Sequence, residues 1–154
     1  MTCARLKSLT ELDYLAVENH SEVKHELVHG VIHAMAGGAS ERHNTLAGNL
    51  FAACHAARHN SGCRPFMGEM RLRLDGGDLS YYPDVMLVCN PQGTDPMFKS
   101  LPCLLAEVSS PSTEGIDRRE KRAAYLNIPT LREYLIIAQD TVQIELYQRH
   151  DMGQ

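Results

Sequence analysis

No apolar run in this chain approaches the roughly 20 residues that a membrane-spanning helix needs, and charges recur every few positions at the N-terminus. Neither a membrane span nor a leader peptide is expected. The five cysteines, at positions 3, 54, 63, 89 and 103, include no CxxC pair, which argues against a zinc cluster or a dithiol redox motif. Odd in number and scattered, they read as buried or incidental thiols in a reducing, cytoplasmic setting. Internal repeats and low-complexity tracts are missing as well. So is any excess of basic residues: the formal net charge is -4, which counts against a nucleic-acid binder with a broad basic face. Basic charge is concentrated locally in "DRREKR", residues 117–122, which reads either as a patch or as a solvated helix face.

What is present suits one globular domain over residues 1–154, with 44% hydrophobic and 22% charged residues. A chain of this length buries roughly two-thirds of the surface its unfolded form exposes, so no staples are required. "SLTELDYLAVEN" predicts a short helix capped at Ser8 or Thr10, with Leu12, Leu15 and Ala16 on one side. "KHELVHGVIHAMAGG" predicts a hairpin turning at His29-Gly30, and "SERHNTLAGNLFAACHAARHN" a long helix capped at Ser40. Strands follow in "RPFMGEMRLRL", "YYPDVMLVC" and "LPCLLAEVSS", with a turn at "DGGD". A helix over "PSTEGIDRREKRAAYLN", with Asp117 and Glu120 as a capping box, precedes a closing hairpin of "LREYLIIAQD" and "TVQIELYQRH". This order predicts an α/β or α+β domain whose mixed β-sheet is flanked by helices, because strands apolar on both faces need cover on both.

Two of those strands carry an acid where burial is expected. Strand alternation puts Asp84 on one face with Tyr82, Met86 and Val88, and Glu107 on one face with Leu105, Cys103 and Ser109. If the strands are neighbours, the carboxylates converge, and converging carboxylates need a proton or a cation between them. Protonation of one of the two, or its pairing with an arginine such as Arg71 or Arg118, is one reading. The other is a hard divalent cation with oxygen ligands. Lys121, on the following helix, can either reach back over the strand ends or stand exposed as a partner of Asp117. His25, His29 and His33 recur every four residues, yet a hairpin scatters them, so they form no metal face. Ser109, Ser110 and Ser112 lack a nucleophile's partners and are expected to satisfy backbone groups.

The ordered segments "HELVHGVIHAMAG", "RHNTLAGNL", "YYPDVMLV", "AEVSSPSTEGIDRREKRAAY" and "LREYLII" resemble the Uma-two family of restriction-endonuclease-like proteins, within the PD-(D/E)XK nuclease superfamily. The resemblance runs from about Leu12 to Tyr147. It implies a restriction-endonuclease-like mixed sheet and Mg²⁺- or Mn²⁺-dependent hydrolysis of phosphodiester bonds in nucleic acid, DNA foremost. It maps Asp84 and Glu107 onto the metal-binding acids. The superfamily's lysine falls at Ser109, and Lys121, one helix later, takes its place. Glu26 matches an acid that many superfamily members bring from an N-terminal element, and His43 matches a family position of no assigned role. Family members usually continue beyond the point where this chain stops at Gln154, and a missing terminal strand would favour a homodimer through an open sheet edge. Two rivals stand beside the endonuclease: a catalytically silent nucleic-acid-binding or protein-interaction module, and a small-molecule hydrolase using the same acids.

Overall fold

In the computed structural model, residues 7–35, 38–111, 113, 115 and 117–150 are described, with only the backbone at Asp117 and Arg118. Cys3, Ser112, the capping box expected of Asp117 and the Arg118 pairing considered for one of the two acids lie outside what is described.

Thr10 starts helix α1 (Glu11–Glu18) with a full capping box: its hydroxyl accepts the Asp13 N–H at 3.2 Å, and the Asp13 carboxylate accepts the Thr10 N–H at 2.8 Å. The expected apolar side of α1 is not the buried one, for Leu12 is 79% exposed while Tyr14 is fully buried. A polar network holds the helix down instead. Glu11 binds Arg73 at 2.6 Å, and Glu18 accepts from the Tyr82 hydroxyl at 2.8 Å and the His25 N–H at 3.0 Å.

Strands β1 (His25–Val28) and β2 (Val31–Ala34) form the expected hairpin, with Glu26 opposite His33. Its turn residues His29 and Gly30 both have positive φ, as a tight two-residue hairpin turn requires. Glycine suits position 30, where φ is +82° and a Cβ would meet Ser8 and the Leu9 backbone nitrogen. Helix α2 (Glu41–Ala57) begins at Ser40, whose hydroxyl accepts the His43 N–H at 3.0 Å.

From there the strands differ from the sequence expectation in one consistent way. "RPFMGEMRLRL" splits into β3 (Arg64–Met67) and β4 (Arg71–Leu74), and "YYPDVMLVC" splits into β5 (Leu79–Tyr81) and β6 (Val85–Val88). The members of each pair belong to different sheets. With β7 (Phe98–Lys99), β8 (Leu104–Ser109), β9 (Glu133–Ala138) and β10 (Ile144–Gln148), the mixed sheet expected as one is two five-stranded sheets, ordered β2-β1-β5-β4-β7 and β10-β9-β8-β6-β3. The chain crosses between them at Gly68 and again at Pro83-Asp84, where the proline has no N–H to continue a ladder. Alternation continues through both crossings, so sequence periodicity alone does not reveal them.

The main core lies between the sheets. Leu72, Leu74, Leu79 and Tyr81 from one face Met86, Leu105, Tyr134 and Ile136 from the other. A smaller cluster of Val85, Ala106, Val108 and Ile137 is covered by Ala47, Leu46, Leu50 and Phe51 of α2. After β8 a π-helical turn (Asp117–Lys121) runs into α3 (Arg122–Leu126), and the chain returns as β9 parallel to β8.

The cysteines depart from the expectation of isolated thiols. Cys63 and Cys89 are disulfide-bonded. The β3–β6 register pairs Arg64 with Val88, so residues 63 and 89 are the next cross-strand neighbours. That bond removes the cysteines as an argument for a reducing compartment. Among the described residues, no helix is long and apolar enough to cross a membrane.

Candidate active site

The sheet crossing at Pro83 sets the position of Asp84. The β6–β8 ladder pairs Val85 with Ala106, and the register carried one residue further puts Asp84 opposite Glu107. Asp84 Oδ2 accepts the Val108 N–H at 2.8 Å and lies 3.3 Å from His43 Nε2. Its side chain keeps 22% of its surface exposed. Among the described residues neither Arg71 nor a second carboxylate is its partner: Arg71 binds Ser80 Oγ at 2.9 Å and Glu11 at 3.5 Å. His43, which carried no assigned role in the sequence, is thereby placed against the first acid. It reaches there because Ser40 starts α2 directly over the crossing.

Glu107 is buried, and its partner Tyr125 belongs to the inter-sheet core. Its Oε1 accepts the Tyr125 hydroxyl at 2.9 Å and the Lys121 ammonium at 3.4 Å. Lys121 Nζ is also 3.3 Å from Glu26 Oε1. Of the two readings open to Lys121, the structure selects the inward one, since the residue is only 8% exposed. Two local features bring it in. The π-helical turn widens the chain just before α3, a distortion common at functional sites, and Glu26 arrives from β1 on the facing sheet.

The aromatic residues around this lysine went unread in the sequence. Tyr125 stands one helical turn after Lys121, so the i, i+4 spacing was the signal available. Burial pushes the Tyr125 phenol well above its ordinary value, and the Glu107 charge adds to the shift. The Tyr81 ring centroid is 6.0 Å from Lys121 Nζ. Burial first, then the Glu26 charge, raises the Tyr81 phenol to about 12. Both hydroxyls therefore stay protonated at working pH, and Tyr125 remains a donor to Glu107.

The remaining candidates are dispersed. His25 binds Glu18 at 3.0 Å, His29 pairs with Asp78 in the hairpin turn, and His33 is exposed, so the three histidines share no site. At Ser110 the roles are the reverse of those expected: the Thr113 hydroxyl accepts the Ser110 N–H at 3.0 Å, and the Ser110 carbonyl accepts the Thr113 N–H at 3.1 Å. Among the described residues no group of three or more His, Cys, Asp or Glu side chains is arranged to hold a metal ion. A cation here would draw on Asp84 and Glu107, backbone carbonyl oxygen and water. That donor set suits Mg²⁺, which keeps several of its waters, and is unsuited to zinc.

Two mixed sheets flanked by helices, with Asp84 at a strand crossing and the buried Lys121 between Glu26 and Glu107, define a nuclease-like α+β domain. The chain belongs to the Uma2 family, described as "Putative restriction endonuclease", whose profile matches residues 12–154. Two relatives come from Synechocystis sp. (strain ATCC 27184 / PCC 6803 / Kazusa). Uncharacterized protein slr1290 is 32% identical over 97% of this chain and 79% of its own length. Uncharacterized protein sll1609 is 37% identical over 97% of this chain and 85% of its own. A crystal structure of a "putative nuclease belonging to DUF820" from Anabaena variabilis ATCC 29413 has the same fold, with a TM-score of 0.73 at 17% identity over 91% of this chain and 79% of that one.

Proposed function

We propose that this protein hydrolyses phosphodiester bonds of nucleic acid, DNA foremost, with Mg²⁺ or Mn²⁺ held by Asp84 and Glu107. One observation carries the reading: the β6–β8 register sets the two acids opposite each other at a sheet crossing, beside a buried lysine. Membership of a restriction-endonuclease family agrees with it.

When bound, the cation would lower the pKa of a coordinated water and polarise the scissile phosphate. The protein's own groups do the rest. Val108 N–H and His43 hold Asp84 by one oxygen, Oδ2, and Oδ1 takes no hydrogen bond from the described residues. The Tyr125 hydroxyl orients Glu107. Lys121 offsets the negative charge that grows on the phosphate, and Glu26 keeps its ammonium at the site.

A silent binding module is the second reading, and one observation favours it: Lys121 is already matched by Glu107 and Glu26, so the cluster stands as a self-sufficient ion-pair network. The test is cleavage of DNA and RNA by the purified protein with Mg²⁺ or Mn²⁺, together with its melting temperature in each ion. Cleavage and ion-dependent stabilisation that both vanish in Asp84→Asn support the enzyme. Binding of nucleic acid without cleavage, unchanged in that variant, supports the module.

A homodimer belongs to the proposal too. Strand β10 is an outermost strand of its sheet and exposes Ile144 and Leu146. Light scattering over a concentration series measures it.

A further inference from the structure

At the opposite end of β6 from Asp84, three sulfurs line up across three adjacent strands. Cys63 precedes β3, Cys89 follows β6 and Cys103 precedes β8. Cys89 is bonded to Cys63, and its Sγ lies only 3.0 Å from Cys103 Sγ. Cys103 is kept there by the backbone, its N–H donating to Leu87 O at 2.8 Å, while its thiol faces the same carbonyl at 3.4 Å. A cavity of about 570 Å³ opens beside Cys63, lined also by His55, Arg58, His59 and Arg64.

We propose that these residues form a thiol–disulfide exchange site, with Cys89 as the shared central sulfur and Cys63 and Cys103 as its alternative partners. The Cys103 thiolate attacks Cys89 Sγ, forming the Cys89–Cys103 bond as the Cys63–Cys89 bond breaks. The electron pair leaves on Cys63 Sγ, which takes up the proton that Cys103 gave up. No electrons are gained or lost overall, so neither oxidant nor reductant is consumed.

The exchange moves a covalent link from the β3–β6 pair to the β6–β8 pair and frees Cys63 beside the cavity. Arg58 and Arg64 line that cavity, so the sulfur released from Cys63 stands beside two cationic side chains. Burial pushes the Cys103 thiol up, opposed in part by hydrogen bonds from the backbone of Cys103 and Cys89, so less thiolate is present at neutral pH and exchange quickens as pH rises.

The experiment uses the full chain in a glutathione redox buffer at mildly alkaline pH, quenched with acid, alkylated and digested without reduction for mass spectrometry. In the wild type both the Cys63–Cys89 and the Cys89–Cys103 linked peptides are expected. Cys103→Ser keeps only the first link, and Cys63→Ser forms only the second. A wild-type protein that shows the Cys63–Cys89 link alone after prolonged incubation, or no disulfide, overturns the proposal. So does a Cys63→Ser chain in which Cys89 and Cys103 are both alkylated. None of these outcomes depends on nuclease activity.

Discussion

His43 Nε2 stands 3.3 Å from Asp84 Oδ2, joining the start of α2 to the point where the chain crosses from one sheet to the other. The same oxygen accepts the Val108 N–H at 2.8 Å. One side of the carboxylate is thus fixed by a helix and by the neighbouring strand, and its orientation does not rest on a flexible rotamer.

Asp84→Asn keeps the shape and the Val108 hydrogen bond but removes the charge. Cleavage is expected to fall by about 100-fold or more, with the fold intact by circular dichroism. His43→Ala acts through Asp84. It should lower activity by about 10- to 100-fold and raise the metal concentration needed for half activity. A wild-type metal dependence in His43→Ala would show that the histidine does not position the acid.

Lys121→Met leaves two carboxylates in the core without their ammonium. Removing one member of a buried ion pair typically costs about 3 to 5 kcal/mol, and urea unfolding should show a loss of that order. Adding Glu26→Gln to Lys121→Met relieves one of the stranded charges. The double variant should recover about 1 to 3 kcal/mol relative to the sum of the single losses. Strict additivity would show that the 3.3 Å contact carries no coupling.

Hydrogen bonds from Arg73 chiefly, opposed in part by burial, hold the Glu11 carboxyl below its ordinary 4.5. A carboxyl depressed in the folded state contributes stability that is fully present above 4.5 and lost as pH falls through its folded value. Glu11→Gln should therefore cost about 1 kcal/mol near neutral pH. The gap from wild type should close as pH drops below 4.5, as measured by denaturant midpoints across the acid range.

Gly30→Ala tests the hairpin that delivers Glu26. The backbone there has φ +82°, and the added methyl would collide with the Ser8 side chain. A loss of about 2 kcal/mol in thermal unfolding is expected. A wild-type melting temperature would mean that the turn relaxes at no cost.

The sequence by itself determined the local pieces. Thr10 and Ser40 as caps, the His29-Gly30 turn, the opposition of Glu26 to His33, and the closing hairpin of β9 and β10 each follow from chemistry within a few residues. It also singled out Asp84 and Glu107, because an acid in an apolar strand is conspicuous in any context, while the choice of Lys121 and Glu26 rested on the family resemblance. Tertiary structure alone decided that two apparent strands break at Gly68 and Pro83 into different sheets, that Cys63 meets Cys89, and that His43 and Tyr125 attend the two acids. Periodicity reports which way a side chain points along one element. Which element faces it is set by strand register and sheet order, and those depend on contacts between residues far apart in the chain.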